Sequence, residues 1–304
     1  MIYWTLVILA GLVAVPLMQE ITRTSVTSLQ ASAPGHLTPL PRGQVHHRWS
    51  GPEGGPVAVC VHGLTTSSYV WDAIVAGLVE DGYRVLTYDH YGRGYSDHPR
   101  GRQDAAFFNE ALDALLTDQG VEGPVTLVGY SMGGAVAASF AAAYPIRVTR
   151  IVMIASAGLQ APPGGLAGIM RQVPLLGDWL MLALYPWVLR AGLRAERDLP
   201  KQVDGIARKQ EAELDVRGFI PAVLSSLRGI LSAPLLAEHR AIAEAGVPVH
   251  AIWGSDDAFI PLDAMDQLAD LNSSAMQDVI ADGTHALPYS HADEVLDLMR
   301  AQAG

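Results

Sequence analysis

Val125-Thr126-Leu127-Val128-Gly129-Tyr130-Ser131-Met132-Gly133-Gly134-Ala135-Val136 holds the first decisive signal in the chain. The β-branched apolar run Val125–Val128 reads as a buried strand, and the small-residue run from Gly133 to Ala143 reads as a helix. Between them, Gly129–Gly133 fits G-x-S-x-G. A turn this tight leaves room only for glycine at its flanks and thrusts the serine hydroxyl out at the sheet edge, where the first amides of the helix also point. Ser131 is therefore the candidate nucleophile.

Outward from this turn the same alternation repeats. Pro56–Val61, Arg84–Tyr88 and Val148–Ala155 read as strands, with helices at Tyr69–Glu80 and Ala105–Thr117 between them. Each strand run is almost continuously apolar, as expected when both faces of a sheet are covered. The rhythm stops near Ser156: residues 157–235 contain no convincing strand and are rich in Leu, Ala and Trp. It resumes with a strand at Val247–Trp253, a helix at Pro261–Leu271, a strand at Ala275–Ile280 and a helix at Ala292–Ala301. The predicted fold is α/β, a mostly parallel central sheet flanked by helices. Its core comprises residues 44–156 and 236–304, and residues 157–235 form an inserted helical cap.

A serine hydroxyl is a weak nucleophile and needs a base, which in turn needs an orienting acid. In a sheet of this kind the partners follow in the order serine, acid, histidine, at later strand ends. Val247–Trp253 leads into Gly254-Ser255-Asp256-Asp257. Asp257 is the candidate acid, with Asp256 as its rival and a helix-cap or turn role as the alternative for either. Asp282-Gly283-Thr284-His285 follows the last strand, which singles out His285 as base over His98 and His291. Acyl transfer also needs two fixed donors for the oxyanion. The backbone N–H groups of Met132 and Leu64 are the candidates, Leu64 lying in the loop His62-Gly63-Leu64 after the Val57–Val61 strand. His62 reads as a structural loop residue, and Thr65–Ser68 as capping the next helix, with polarisation of the substrate as the alternative.

With these residues in hand, the chain from about residue 44 onward resembles the α/β-hydrolase superfamily. The resemblance rests on His62-Gly63-Leu64, the tract Asp89–Ser96, the Gly129–Gly134 turn, the Gly254–Pro261 loop and Gly283-Thr284-His285. It implies that Asp89–Ser96 is a structural turn, and that Ser131, Asp257 and His285 cut a carboxylic ester with an apolar acyl or alkyl group. Together with the apolar N-terminus the set looks most like monoacylglycerol lipase-type esterases. Thr284 departs from the glycine that relatives often carry before the histidine. The same triad could open a carbon–carbon bond, a lactone or a thioester, and a non-catalytic binding protein on this fold is the reading from another class. Neither a metal cluster nor a phosphate loop is apparent, so no cofactor is implied.

The cap stretch 165–193 is crowded with Leu, Met and Trp, and Trp179, Leu180 and Trp187 are expected to line an acyl pocket. Pro174 and Pro186 are expected to break it into short helices. At the other end, residues 1–18 carry no charged side chain. As a helix they would span roughly 27 Å, near a bilayer core. They are read as an uncleaved membrane anchor, with the cap as a further possible membrane contact. A cleaved secretory signal, leaving a secreted or periplasmic protein, is the alternative. Residues 19–43 are read as a linker. The 20 basic against 31 acidic residues, net −11, offer no basic stripe for nucleic acid. The single cysteine, Cys60, precludes an internal disulfide and reads as a buried strand residue.

Overall fold

The computed structural model describes residues 2–195 and 201–302; the side chains of residues 2, 6–10 and 195 fall outside that description. Eight strands form one sheet: β1 His36–Leu40, β2 Gly43–Ser50, β3 Val57–Val61, β4 Arg84–Tyr88, β5 Val125–Tyr130, β6 Val148–Ile154, β7 Val249–Gly254 and β8 Met276–Ile280. Their order across the sheet is β1-β2-β4-β3-β5-β6-β7-β8. β2 runs antiparallel to both of its neighbours, and β4, β3 and β5–β8 run parallel.

Period-two alternation assigns each strand residue to one of two cores. Val59, Val61, Leu127 and Met153 face one side, under Phe107, Phe108, Leu112 and the helix Met132–Ala143. Ala58, Cys60, Val128 and Val152 face the other, under the helices Asp72–Glu80 and Ala292–Ala301. Cys60 is fully buried there, and burial pushes its thiol far above its ordinary range. This double covering explains why the central strands carry no polar face. It also fixes the carboxyl ends of the parallel strands as the edge where loops and side chains converge.

Residues 157–235 contain the helices Gly165–Gln172, Leu176–Ala195, Ile206–Glu213 and Phe219–Arg228, and no strand among the described residues. They build a third apolar cluster around Met181, Leu214, Phe219 and Val223. Pro186 does not break its helix. Leu176–Ala195 runs through it for 20 residues, whereas Pro174 does stand between two helices. A helix that long is held by the packing of its apolar side, which outweighs one missing backbone bond.

The stretch read as a linker, 19–43, is structured. The first helix, Ile2–Thr22, passes beyond residue 18, and a short helix, Val26–Gln30, and all of β1 follow. Thr24 pairs with Val216 of the cap: its N–H donates to the Asp215 carbonyl at 2.9 Å, and its own carbonyl accepts from Arg217 N–H at 2.9 Å. β1 escapes a pattern-based reading because it is a five-residue edge strand interrupted by Pro39, which only an edge tolerates. Among the described residues no helix is long and apolar enough to cross a membrane. The anchor expected at 1–18 falls in part on residues outside the description.

Candidate active site

Ser131 joins β5 to its helix with φ 53° and ψ −120°, a backbone state that L-residues rarely adopt. The neighbours make it possible. A Cβ on Gly129 would stand 2.5 Å from the Gly133 carbonyl oxygen, and one on Gly133 would overlap the Val61 carbonyl oxygen at the end of β3. One on Gly134 would overlap the Ser156 hydroxyl past β6. The turn is clamped by its own backbone: Ser131 N–H donates to Ile154 at 3.1 Å, and the Ser131 carbonyl accepts from Gly134 and Ala157.

The loops after β7 and β8 are stitched together beside it. Asp256 N–H donates to the Gly283 carbonyl at 2.8 Å, and Asp282 N–H to the Ser255 hydroxyl at 2.9 Å. A Cβ on Gly254 would overlap the Gly283 carbonyl, so the two loops touch at backbone distance. Residues 131, 257 and 285, far apart in sequence, thereby meet. His285 Nε2 lies 2.9 Å from Ser131 Oγ, and His285 Nδ1 lies 2.8 Å from Asp257 Oδ2. A carboxylate can only accept here, so Nδ1 carries the proton and Nε2 is free to accept from the serine hydroxyl.

The other Asp257 oxygen accepts from the N–H groups of Phe259 and Ile260 at 2.8 and 2.9 Å, and its side chain is wholly buried. Its rival, Asp256, is exposed, and among the described residues its side chain bonds only to Ser255. The imidazole packs against the rings of Tyr130 and Phe259, each 5.2 Å away between centroids. The sequence alone singles out neither aromatic. Tyr130 occupies the variable position of the motif, and Phe259 is an exposed loop residue with no pattern to mark it.

Met132 opens its helix, so its N–H is one of the amides that lack an intrahelical partner. Leu64 lies on the loop that lines the other side. A Cβ on Gly63 would stand 3.4 Å from the Ser131 Cβ. Both peptide groups flanking Leu64 are pinned: His62 Nδ1–H donates to the Gly63 carbonyl at 2.9 Å, and Arg93 Nε–H donates to the Leu64 carbonyl at 3.1 Å. His62 Nε2 in turn accepts from His90 N–H at 2.8 Å. Burial brings His62 down to about 4 and holds His90 well below its ordinary range, so both rings stay neutral.

Asp89–Ser96 folds as a turn that backs this loop. One Asp89 oxygen accepts from Ser68 N–H, the other from Tyr95 N–H and His46 Nδ1. Burial works against that charge, but the His46 hydrogen bond and charge outweigh it and bring the carboxyl to about 2. Thr65–Ser68 does not cap as read: Ser67, at the start of the next helix, makes no side-chain capping bond, and Asp89 takes the Ser68 amide instead.

Trp179, Leu180 and Trp187, expected to line an acyl pocket, all lie on the helix Leu176–Ala195. Trp179 donates its indole N–H to the Val13 carbonyl of the first helix at 3.2 Å, and Trp187 is 77% exposed. An apolar helix packed on one side by another helix leaves its remaining aromatics facing outward, and sequence alone does not reveal which side that is. Among the described residues no group of three His, Cys, Asp or Glu side chains could hold a metal ion.

The strand order and the strained serine turn define an α/β-hydrolase fold. The chain belongs to the alpha/beta hydrolase fold family, which it matches over residues 56–292. It is 26% identical over 233 residues to an uncharacterised protein of Mycobacterium tuberculosis, covering 68% of this chain and 63% of that one, so it spans less than two thirds of that relative. It is 27% identical over 270 residues to the 2-hydroxy-6-oxononadienedioate/2-hydroxy-6-oxononatrienedioate hydrolase of Paraburkholderia xenovorans, covering 83% of this chain and 87% of that enzyme. Its fold is similar to a thermophilic esterase from Thermogutta terrifontis, with a TM-score of 0.72 at 21% identity over 88% of this chain and 97% of the esterase.

Proposed function

We propose that this hydrolase is a serine carboxylesterase of the monoacylglycerol lipase kind, acting on esters with an apolar acyl or alkyl group. The observation that carries the reading is the pair of contacts at His285, 2.9 Å to Ser131 Oγ and 2.8 Å to Asp257 Oδ2. Ser131 gives its proton to His285 Nε2 as Oγ attacks the ester carbonyl, while Asp257 stabilises the imidazolium. The amides of Met132 and Leu64 take the oxyanion. The imidazolium then protonates the departing alkoxide, leaving an acyl-enzyme. Water gives a proton to His285, attacks the acyl carbon and releases the acid, restoring Ser131. A fluorophosphonate probe is expected to label the protein and not its Ser131→Ala variant. Absence of label on folded protein would refute the reading in favour of a binding protein. A panel of p-nitrophenyl esters, monoacylglycerols, lactones and thioesters then separates ester from other acyl substrates.

We also propose attachment to a lipid surface through residues 1–18 and the cap. Leu12, Val13, Val15, Leu17 and Met18 are all exposed. At about 100° per residue they face every side of the helix, which a one-sided protein groove would not cover. Trp187 and Val188 extend this surface on the adjoining cap helix. The protein should sediment with phosphatidylcholine vesicles and resist an alkaline carbonate wash; full release of the intact chain would refute the attachment.

A further inference from the structure

We infer that Arg93 is a positioning residue for the Leu64 amide and that, through Ser226, it makes this oxyanion donor depend on the cap. The inference rests on the proposed ester-hydrolase reading and on a network that no step of that mechanism uses.

Arg93 is fully buried, and each acceptor it meets is uncharged. Nε–H donates to the Leu64 carbonyl at 3.1 Å, one terminal nitrogen to Tyr91 O at 3.2 Å and Gln103 Oε1 at 2.7 Å, and the other to Ser226 Oγ at 2.8 Å. Burying a guanidinium with no carboxylate hydrogen-bonded to it is costly, and burial lowers its pKa to about 10 although the charges of Tyr185 and the buried Glu213 act the other way. A neutral side chain would fill that space without the penalty, so what the charge supplies is geometry. The guanidinium is a rigid fork whose donors leave in fixed directions.

Those directions join three parts of the chain that are remote in sequence. One arm ends on the loop that carries the Leu64 amide. Another ends on Gln103, ahead of the helix Ala105–Asp118. The third ends on the cap helix Phe219–Arg228, where the Ser226 hydroxyl also donates to Gln103 Oε1 at 2.5 Å. The cap and core are locked at the same place by backbone: Ile230 N–H donates to the Gln103 carbonyl, and a Cβ on Gly229 would overlap that carbonyl. The peptide that follows Leu64 is therefore held by a residue that is itself held by the cap, while the peptide that carries the Leu64 N–H is held through the Gly63 carbonyl by His62. Displacing the helix that carries Ser226 would loosen the fork, free the backbone on the far side of Leu64 and leave its amide fixed from one side alone.

The test is steady-state kinetics on a p-nitrophenyl ester, together with inhibition by a trifluoromethyl ketone, whose serine adduct places an oxyanion in the hole. Ser226→Ala should lower kcat by roughly three- to tenfold with KM nearly constant, and Ser226→Thr should restore it. Arg93→Met should lower kcat by about 10- to 100-fold, less than outright loss of a donor. The ketone inhibition constant should rise in step with the loss of kcat/KM. If Arg93→Met does not fold, the Ser226 pair alone decides. Indistinguishable Ser226→Ala and Ser226→Thr enzymes, or a folded Arg93→Met enzyme with wild-type kcat, would overturn the inference. An unlabelled wild-type protein in the fluorophosphonate experiment would instead sink the hydrolase reading itself.

Discussion

Replacing Asp257 with Asn changes one oxygen to an NH2 group, and the surroundings dictate which one. Oδ1 accepts two backbone N–H groups, from Phe259 and Ile260, while Oδ2 accepts one, from His285 Nδ1. Were the amide nitrogen to face Phe259 and Ile260, two part-buried donors would lose their acceptor and meet another donor instead, at up to about 1 kcal/mol each. Facing His285 instead costs far less, because a neutral imidazole can move its proton to the other nitrogen. The amide oxygen therefore stays with the backbone, and the NH2 points at Nδ1. His285 then carries its proton on Nε2, 2.9 Å from Ser131 Oγ, where it cannot act as base. The wrong tautomer is worth about 10⁴-fold in kcat, or roughly 5.5 kcal/mol of barrier. The assay is p-nitrophenyl ester hydrolysis, with folding checked by circular dichroism. The expected outcome is a fall of kcat by three to four orders of magnitude, little change in KM, and a melting temperature within a few degrees of wild type. Asp256→Asn, on the exposed neighbour, should stay within about twofold. Retention of more than about a tenth of wild-type activity in Asp257→Asn, or an equal loss in Asp256→Asn, would refute the assignment.

Gly133→Ala should fail to give soluble protein or should melt far lower. Its new Cβ would overlap the Val61 carbonyl and stand 2.6 Å from that of His62, neither of which can yield without moving β3, whereas Gly54→Ala meets open space and should melt as wild type. Stability measured by urea unfolding should fall between pH 6.5 and 4. Burial depresses His62, His98 and His239 to about 4, so the unfolded chain binds more protons across that window, costing about 3 kcal/mol for each group by its lower end. Glu213, which burial raises to about 7, works in the opposite sense between pH 7 and 4.5 and offsets about one of the three; a stability that rises on acidification to pH 4 would contradict this balance. Thr24→Pro removes the N–H that holds the first segment to Asp215 and should expose residues 19–35 to limited proteolysis while the core stays protected.

The parts legible in the sequence share one property: their signal is local. Ser131, Asp257 and His285 each follow a strand run directly, and a strand's end is where a side chain must reach the working edge of a parallel sheet. Their convergence needs only the sheet order, which alternation of strands and helices implies. The cap could be read as helical for the same reason. Which way its apolar residues point could not, because Leu, Met and Trp at helical spacing look alike whether they line a cavity, pack on a neighbour or stand exposed. Trp179 and Trp187 illustrate two of these outcomes on one helix. β1 was hidden by its brevity and by Pro39.

Arg93 shows a deeper limit. It sits in a tract read as a turn, and nothing near it in sequence marks it apart. Its meaning lies in Ser226, which is 133 residues away, and in Leu64, which is 29 residues away. A buried charge satisfied only by neutral acceptors is a three-dimensional fact, visible once the partners can be counted. It also bears on how the site is built. The triad places the proton, and its geometry is carried by loops at the ends of β7 and β8. The oxyanion donor on Leu64 is carried by a loop pinned from two sides, by His62 within the core and by Arg93 toward the cap. The two halves of the chemistry are thus held by different loops, and the second is joined through Arg93 to the helix Phe219–Arg228. A change in the cap should therefore alter stabilisation of the oxyanion before it alters the serine–histidine contact.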